Sequence, residues 1–592
     1  MTQALKTILA IDTETRGKNP HRADLIGISL YHDRKSSWHS GKTVMIDMPD
    51  AYVIGQNAKF DAVILARYGI RYHVNYDTML AEYLLHIDQP RKLEVMYERY
   101  FGEHKKDLLE IFNDAQSVFG IKERKRLPDD WYETSRREPS KNFPHGKVLH
   151  IGVAPEVLAS YAKEDVEATF KIYQAQMKEF ETKPELYKWF MDVEMPVCNI
   201  LIQSEIKGVK LDVAKLQLLE TELQAKADGL YKKIEWLSGT PGINLNSPKQ
   251  LQEVMFKKLH LPRLTKTQTG WSTSKATLEK MKDRAFPKLL LQYNECDDLL
   301  SKFIRPLPLI VDKDSRLHTT FNQALTDTRR FSSEDPNLQN IPAKTDLGRR
   351  IRECFVPEEG HKFLICDYSQ IEPRLLAHFS SDPFLLEAFN TDKDLYEFVS
   401  SLMSKRLGRD FSRSMAKILV LSLIYGKTAY GLALDWRITQ AEAQSIIDQF
   451  YGLFTKVREW MQDTVTTSKF SKSWGKSLAG LPLKIVAKGK DHDVIGDLDD
   501  ERQWVQEACQ RLAVNYPIQS SSQDIIKKAM VNVYEKFGLV FVLQVHDELV
   551  YEVPTANAEA VEKAIVYEME HAWELKVPIK VSHEIADYWK KG

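Results

Sequence analysis

Two stretches far apart in the chain each end an apolar run in a carboxylate, and together they restrict the fold more than any other feature. Lys362-Phe363-Leu364-Ile365-Cys366-Asp367 reads as a buried strand that stops at an acid. A helix signal follows over 372–379, with Pro373 in its first turn. Far downstream, residues 538–545 read as a strand, His546-Asp547-Glu548 as a tight turn and 549–553 as the return strand. A single acid at a strand end is most often a cap. A hairpin with two adjacent acids at its tip repels itself unless a cation binds there. Strand-end carboxylates of this kind suit metal-dependent phosphoryl chemistry.

The bulk composition narrows the class. A chain of 592 residues should hold several domains, roughly three to five. With 43% apolar and 28% charged residues it can bury large cores as an ordinary soluble protein does. The net charge of −1 gives no global basic signal for nucleic acid, although a local basic groove can be balanced elsewhere. Five scattered cysteines, with no Cys-x-x-Cys spacing, suit reduced thiols. The N-terminus meets Asp12 and Glu14 too early for a signal peptide, and no apolar run is long enough to span a bilayer.

Near the N-terminus, Ile8 to Thr15 reads as a strand with Asp12 and Glu14 on one face, because side chains alternate with period 2. Residues 25–30 read as a second strand and 44–46 as a third. Residues 53–56 run into a helix over 60–68 with Asp61 in its first turn. Tyr161 and Asp165 share a helix face at i, i+4. Four acids from three elements and a tyrosine can hold two divalent ions and orient a water on a phosphodiester. The ordered set Asp-x-Glu, Asn-x-x-x-Asp and Tyr-x-x-x-Asp resembles the three motifs of DnaQ-like 3′–5′ exonucleases, in the form fused to DNA polymerase I-like enzymes. The resemblance covers about residues 5–175. It implies that Asp12, Glu14, Asp61 and Asp165 are metal ligands and that Tyr161 orients the attacking water. Residues 87–150 are highly charged, with Arg124-Lys125-Arg126 and Arg136-Arg137; they read as a solvated excursion or a DNA-backbone contact.

The middle of the chain reads as a helical arm. Residues 212–237 form one amphipathic pattern with Leu216, Leu219, Leu223, Ala227 and Leu230 on the apolar side. Ser247, Pro248 and Gln250 form a helix start. Residues 263–275 read as a basic loop able to grip phosphates. The arm resembles the thumb of DNA polymerase I-like enzymes, without a long extra insertion at its tip.

Residues 328–342 pair arginines with amides, a combination that suits sequence-blind minor-groove and sugar-phosphate contacts. The stretch resembles the primer–template contact segment of family A DNA polymerases, with Arg329 where members usually carry glycine. Arg413, Lys417, Leu421 and Tyr425 fall at i, i+4, i+8 and i+12 and drift by about 40° per step, so they form one slanting stripe. The spacing resembles the fingers helix of that family, and residues 367–374 and 545–548 resemble its two metal-binding motifs.

By this resemblance Asp367 and Asp547 hold two metal ions, supported by Glu548, and Lys417 is a general acid to pyrophosphate. Arg413 and Lys417 grip the incoming triphosphate, and Tyr425 sits beside the templating pair. Gln370 and Glu372 line the nucleotide sugar, with Glu372 excluding a 2′-hydroxyl. Arg330, Asn337, Gln339, Asn340, Arg511, Asn515, Gln519 and His546 contact DNA. Two departures stand out: Leu421 replaces a Phe or Tyr of the family, and Tyr396 stands where many members have His.

The implied fold is α/β and multidomain: an RNase H-like exonuclease domain over 1–185, then a right-hand polymerase over 186–592. The thumb is expected at about 190–305, the palm at about 306–395 and 530–592, and the fingers at about 396–529. The implied activity is template-directed DNA synthesis from deoxynucleoside triphosphates on primer–template DNA, with 3′–5′ proofreading. The implied cofactor is Mg²⁺, two ions per active site, which Mn²⁺ can replace. A monomer of bacteriophage type is expected, with no membrane association, working in the cytoplasm of a bacterial cell or phage-infected host. A motif that begins within the first fifteen residues leads to the expectation that no 5′-nuclease domain precedes it. The competing readings are an exonuclease carrying a catalytically weak polymerase body and a non-catalytic DNA-binding scaffold.

Overall fold

The computed structural model describes residues 7–40, 51–106, 155–268, 270–489 and 493–590. The N-terminal body contains β1 (Ile8–Arg16), β2 (Asp24–His32), β3 (Lys35–Ser40), β4 (Tyr52–Gly55) and β5 (Val74–Asp77). They form one sheet in the order β3-β2-β1-β4-β5. β1 runs antiparallel to β2 and parallel to β4. Its helices are α1 (Ala58–Arg67), α2 (Thr78–Leu85), α3 (Leu93–Phe101) and α4 (Pro155–Glu181), the last packed across β1 to β4. Buried Asp77 accepts from Met79 N and Leu80 N at the start of α2 and from Asn57 N and Ala58 N at the start of α1. One carboxylate thus satisfies orphan donors of two helix N-termini and fixes Asp61 in the first turn of α1. The strand expected at 44–46 and the basic runs at 124–126 and 136–137 lie outside the described residues.

α5 (Met195–Lys207) leads out of this body and shares its core: Met195, Cys198 and Ile202 pack with Ile54, Tyr76 and Val166. α6 (Val213–Ser238) is capped by Asp212 and stopped by left-handed Gly239, and it buries the expected leucine stripe. It packs against α7 (Ala285–Leu299). Ser247 caps the next helix, but Gln250 turns to Asn244 N at 2.8 Å rather than closing a box on Ser247. The segment read as a loop at 263–275 contains a short ladder of Lys266-Thr267 against Gly270-Trp271.

The C-terminal body is built on β6 (His361–Tyr368), followed by α8 (Ile371–Ser380), α9 (Leu395–Leu407) and α10 (Arg413–Ile424). Then come α11 (Gln503–Phe537), β7 (Phe541–Val545), β8 (Glu548–Pro554), α12 (Ala558–Glu570) and β9 (Val581–Ala586). The antiparallel sheet runs β7-β8-β6-β9. The unbroken apolar run of β6 follows from burial on both faces: Phe363 and Ile365 join the core under the helical arm, while Leu364 and Cys366 join the core under α8 and α11. α11 begins at Gln503 and runs through buried Pro517. Packing against α5, α8 and α12 outweighs the one backbone donor that Pro517 lacks.

Candidate active sites

The N-terminal site gathers on β1 and α4. Carboxylate oxygens of Asp12, Glu14 and Asp165 lie within 4.8 Å of one another. Asp61 stands beside them but is held by Thr13, whose N and Oγ1 donate to Asp61 Oδ1 at 3.0 and 2.5 Å. Burial raises all four acids: Glu14 to about 8 and Asp12 above the usual carboxylate range, both with added repulsion from their acidic neighbours, Asp61 to about 7 against the Thr13 hydrogen bonds, and Asp165 above the usual range against Lys105. Tyr161 hydrogen-bonds Asp165, and its hydroxyl pKa is raised by burial and by that carboxylate. Lys105 places its ammonium on Asp165 and 4.7 Å from the centre of the Tyr161 ring. Its lowering effect on Asp12, Glu14 and Asp165 is that of a cation among acids. Clustered acids with raised pKa values are a donor set that divalent ions fit.

The C-terminal site is assembled by strand register. Asp367 on β6 lies opposite Glu548 on β8, and Tyr368 N donates to Asp547 O at 3.3 Å. His546 closes the turn in a left-handed conformation with φ 57°, and Gln544 Nε2 donates to its carbonyl. Gln339 Nε2 reaches Gln544 Oε1 at 2.7 Å, which ties residues 338–340 to the same turn. The Asp547 carboxyl is pushed up to about 7 by burial, with Glu372 and Asp367 adding and Arg330 opposing. Its Oδ1 is buried with no hydrogen-bond partner among the described residues. A buried carboxylate oxygen without a donor, beside a second strand-end acid, fits a metal site. Glu548 is engaged elsewhere: it accepts from Trp589 Nε1 at 2.8 Å and lies 3.9 Å from Arg352.

Around the two aspartates, Glu372 accepts from Arg330 at 2.5 Å and from the Tyr425 hydroxyl. Left-handed Gln370 precedes α8 without a side-chain capping bond, and its buried Oε1 lacks a partner among the described residues. Arg413 and Lys417 project from exposed positions of α10. Arg413 is paired with Asp394 at 2.7 Å, and both cations lie within 6 Å of the Tyr396 ring, at 5.6 and 5.8 Å. Leu421 and Tyr425 line an open groove together with Gly426 and Arg511. Gly426 has φ 66°, and a Cβ there would stand 2.6 Å from Arg511 Cγ, so both backbone and space favour glycine. Asn515 and Gln519 continue along α11, with Asn515 Oδ1 buried and unpaired among the described residues. Asn337, Asn340 and His546 are exposed.

Four residues escaped the sequence reading. Lys105 sits in a charged stretch with no spacing signal. Arg352 and Trp589 converge only in three dimensions, with the guanidinium 3.8 Å over the indole. Gln544 did leave a trace: it is a buried amide within an apolar strand.

Comparison with known proteins places this geometry. A family model described as DNA polymerase family A matches residues 213–591. The chain belongs to DNA polymerase family A. A second family model, described as 3′-5′ exonuclease, matches residues 1–181. DNA polymerase I of Bacillus subtilis is 32% identical over 601 residues, covering 98% of this chain and 63% of that protein. The thermostable DNA polymerase I of Thermus thermophilus is 37% identical over 463 residues, covering 76% of this chain and 54% of that protein. The chain therefore spans between half and two-thirds of the length of these relatives. Among solved structures, the POL domain of Pol1 from M. smegmatis in complex with DNA primer-template and dNTP superposes with TM-score 0.80 at 28% identity, covering 99% of this chain and 96% of that one. The fold is thus mixed α/β, with an N-terminal exonuclease domain ahead of the family A polymerase domain.

Proposed function

We propose that this family A chain is a DNA-directed DNA polymerase that extends a primer 3′-OH with deoxynucleotides and removes mispaired ends through its N-terminal 3′–5′ exonuclease site. The observation that carries the reading is the approach of the end of β6, which holds Asp367, to the turn before β8, which holds Asp547 with a buried, unpaired carboxylate oxygen. The Pol1 neighbour's complex with primer-template and dNTP supports these substrates. Two Mg²⁺ ions, which Mn²⁺ can replace, would lower the pKa of the attacking hydroxyl and stabilise the leaving pyrophosphate.

The chain's own groups supply the rest. Asp367 and Asp547 would hold the metals in the polymerase site. Arg413 and Lys417 meet the triphosphate after Arg413 leaves Asp394, and Lys417 protonates pyrophosphate. Opening the Arg330–Glu372–Tyr425 cluster frees Arg330 for the primer and leaves Glu372 against the sugar. Gln370 lines that sugar pocket. Asn337, Gln339, Asn340, Arg511, Asn515, Gln519 and His546 bind primer and template. In the exonuclease site Asp12, Glu14, Asp61 and Asp165 would hold metal, and Tyr161 would orient water on the scissile phosphate. The polymerase works as a monomer in the bacterial or phage-infected cytoplasm; among the described residues no helix is long and apolar enough to cross a membrane.

The test is extension of a 5′-labelled primer on a longer template with Mg²⁺, with and without the four deoxynucleotides, for wild type, Asp367→Ala and Asp12→Ala. Extension lost only in Asp367→Ala, and shortening lost only in Asp12→Ala, supports both assignments. A wild-type chain that only shortens primers overturns the polymerase half and leaves the nuclease reading.

A further inference from the structure

Arg329 stands in the sequence where a glycine suits the backbone: its φ is 61°, in the left-handed region. Its side chain is nevertheless fully buried, at 0% exposure. The guanidinium lies 5.0 Å from the centre of the Tyr83 ring on α2 of the exonuclease domain. One of its nitrogens donates to Pro482 O at 2.9 Å, in the segment that precedes α11. Nε and the other terminal nitrogen have no hydrogen-bond partner among the described residues. Nearby negative charge comes from Glu194, which is paired with Lys527, and from Asp524. A buried cation on a strained backbone is expensive, and packing alone would be met by a smaller residue. Its position therefore asks for a role.

The contacts run in one direction. The Tyr83 hydroxyl donates to Thr326 O. Thr326 Oγ1 donates to Arg330 O at 2.8 Å, and Arg329 N closes the turn on Thr326 O at 3.3 Å. Ser520 Oγ of α11 donates to Thr328 O at 3.2 Å. The next side chain, Arg330, is the one on Glu372 and beside Asp547. We propose that Arg329 is a positioning residue: clamped by Tyr83 of the exonuclease domain and by Pro482, it sets Arg330 against the polymerase metal site. The nuclease domain thereby sets how well the polymerase site holds a primer end. This rests on the function proposed above and extends it to a coupling between the two sites.

The experiment measures kcat and KM for primer–template extension, single-strand digestion, and melting temperature. It uses full-length wild type, Arg329→Gly, Tyr83→Ala, Tyr83→Phe and Arg330→Ala, plus the Arg329→Gly/Arg330→Ala double variant. Arg329→Gly and Tyr83→Ala should raise KM for primer–template by about two- to thirtyfold, the range of such couplings. Single-strand digestion should stay at the wild-type rate, which also reports a folded nuclease domain. Tyr83→Phe keeps the ring under Arg329 but loses the hydroxyl donor to Thr326 O, so it should recover part of the Tyr83→Ala loss. In the Arg330→Ala background, Arg329→Gly should add no further loss, because both act through one group. Unchanged KM in both single variants, or fully additive losses in the double variant, overturns the proposal. A wild-type chain that extends no primer refutes the functional reading itself, and this role with it.

Discussion

Lys527→Met tests how the polymerase body is held to the helix that leaves the exonuclease domain. Lys527 on α11 meets Glu194, just before α5, with Nζ at 2.9 and 2.8 Å from the two carboxylate oxygens, and both side chains are 1% exposed. At 2.8 Å and an effective dielectric near 20, their attraction is about 6 kcal/mol. Desolvation of two ions offsets much of that in the intact pair, but removal of one partner strands the other charge. The loss is then about 3–5 kcal/mol. Glu194 keeps Trp189 Nε1 at 3.1 Å and Gln323 Nε2 at 2.5 Å, which favours the lower end. Thermal melting of the polymerase body should fall by about 5–10 °C at pH 7. Glu194→Leu should cost a similar amount, and Lys527→Met/Glu194→Leu less than the sum, because the double variant leaves no stranded charge. The ion pair lowers the Glu194 pKa, so its contribution is present at neutral pH and fades as pH falls through the lowered value. A Lys527→Met change below about 1 kcal/mol, or strict additivity in the double variant, would refute this account.

Three further outcomes follow from the same contacts. Trp589→Phe removes the indole donor from Glu548 and should cost about 1–3 kcal/mol in urea unfolding and slow primer extension while single-strand digestion persists. Glu14 has a folded pKa raised to about 8, so without metal the folded state binds the extra proton and stability declines as pH rises from the ordinary carboxylate range towards 8. Melting in EDTA across pH 5–8 should show that decline, Glu14→Gln should make it shallower while Asp12 and Asp61 keep part of it, and added Mg²⁺ should reduce it further. Leu421→Tyr places a ring in the groove beside Tyr425 and should raise both nucleotide addition and dideoxynucleotide use; single-turnover incorporation that matches wild type for both would count against it.

Local periodicity was legible in the residues alone. The apolar run ending at Asp367 and the Arg413–Lys417 pair on α10 are short-range patterns that fold as their spacing requires. The same holds for Asp12 and Glu14 on β1 and for the Asp212 cap of α6. The turn read at 546–548 is two residues long because Glu548 already belongs to β8, and Tyr425 lies just past the end of α10. Longer contacts were beyond that reading. α11 runs unbroken through Pro517 because its packing against neighbouring elements outweighs the loss of one backbone donor. The Lys105 ammonium on Asp165, the Trp589 donor to Glu548 and the Tyr83–Arg329 stack each join residues far apart in the chain, so no spacing encodes them. Local propensity acts over a few residues, whereas the desolvation that pairs these charges exists only once distant segments close around them. The acids could be named from the chain, but only the folded structure decided which cations, donors and rings surround them.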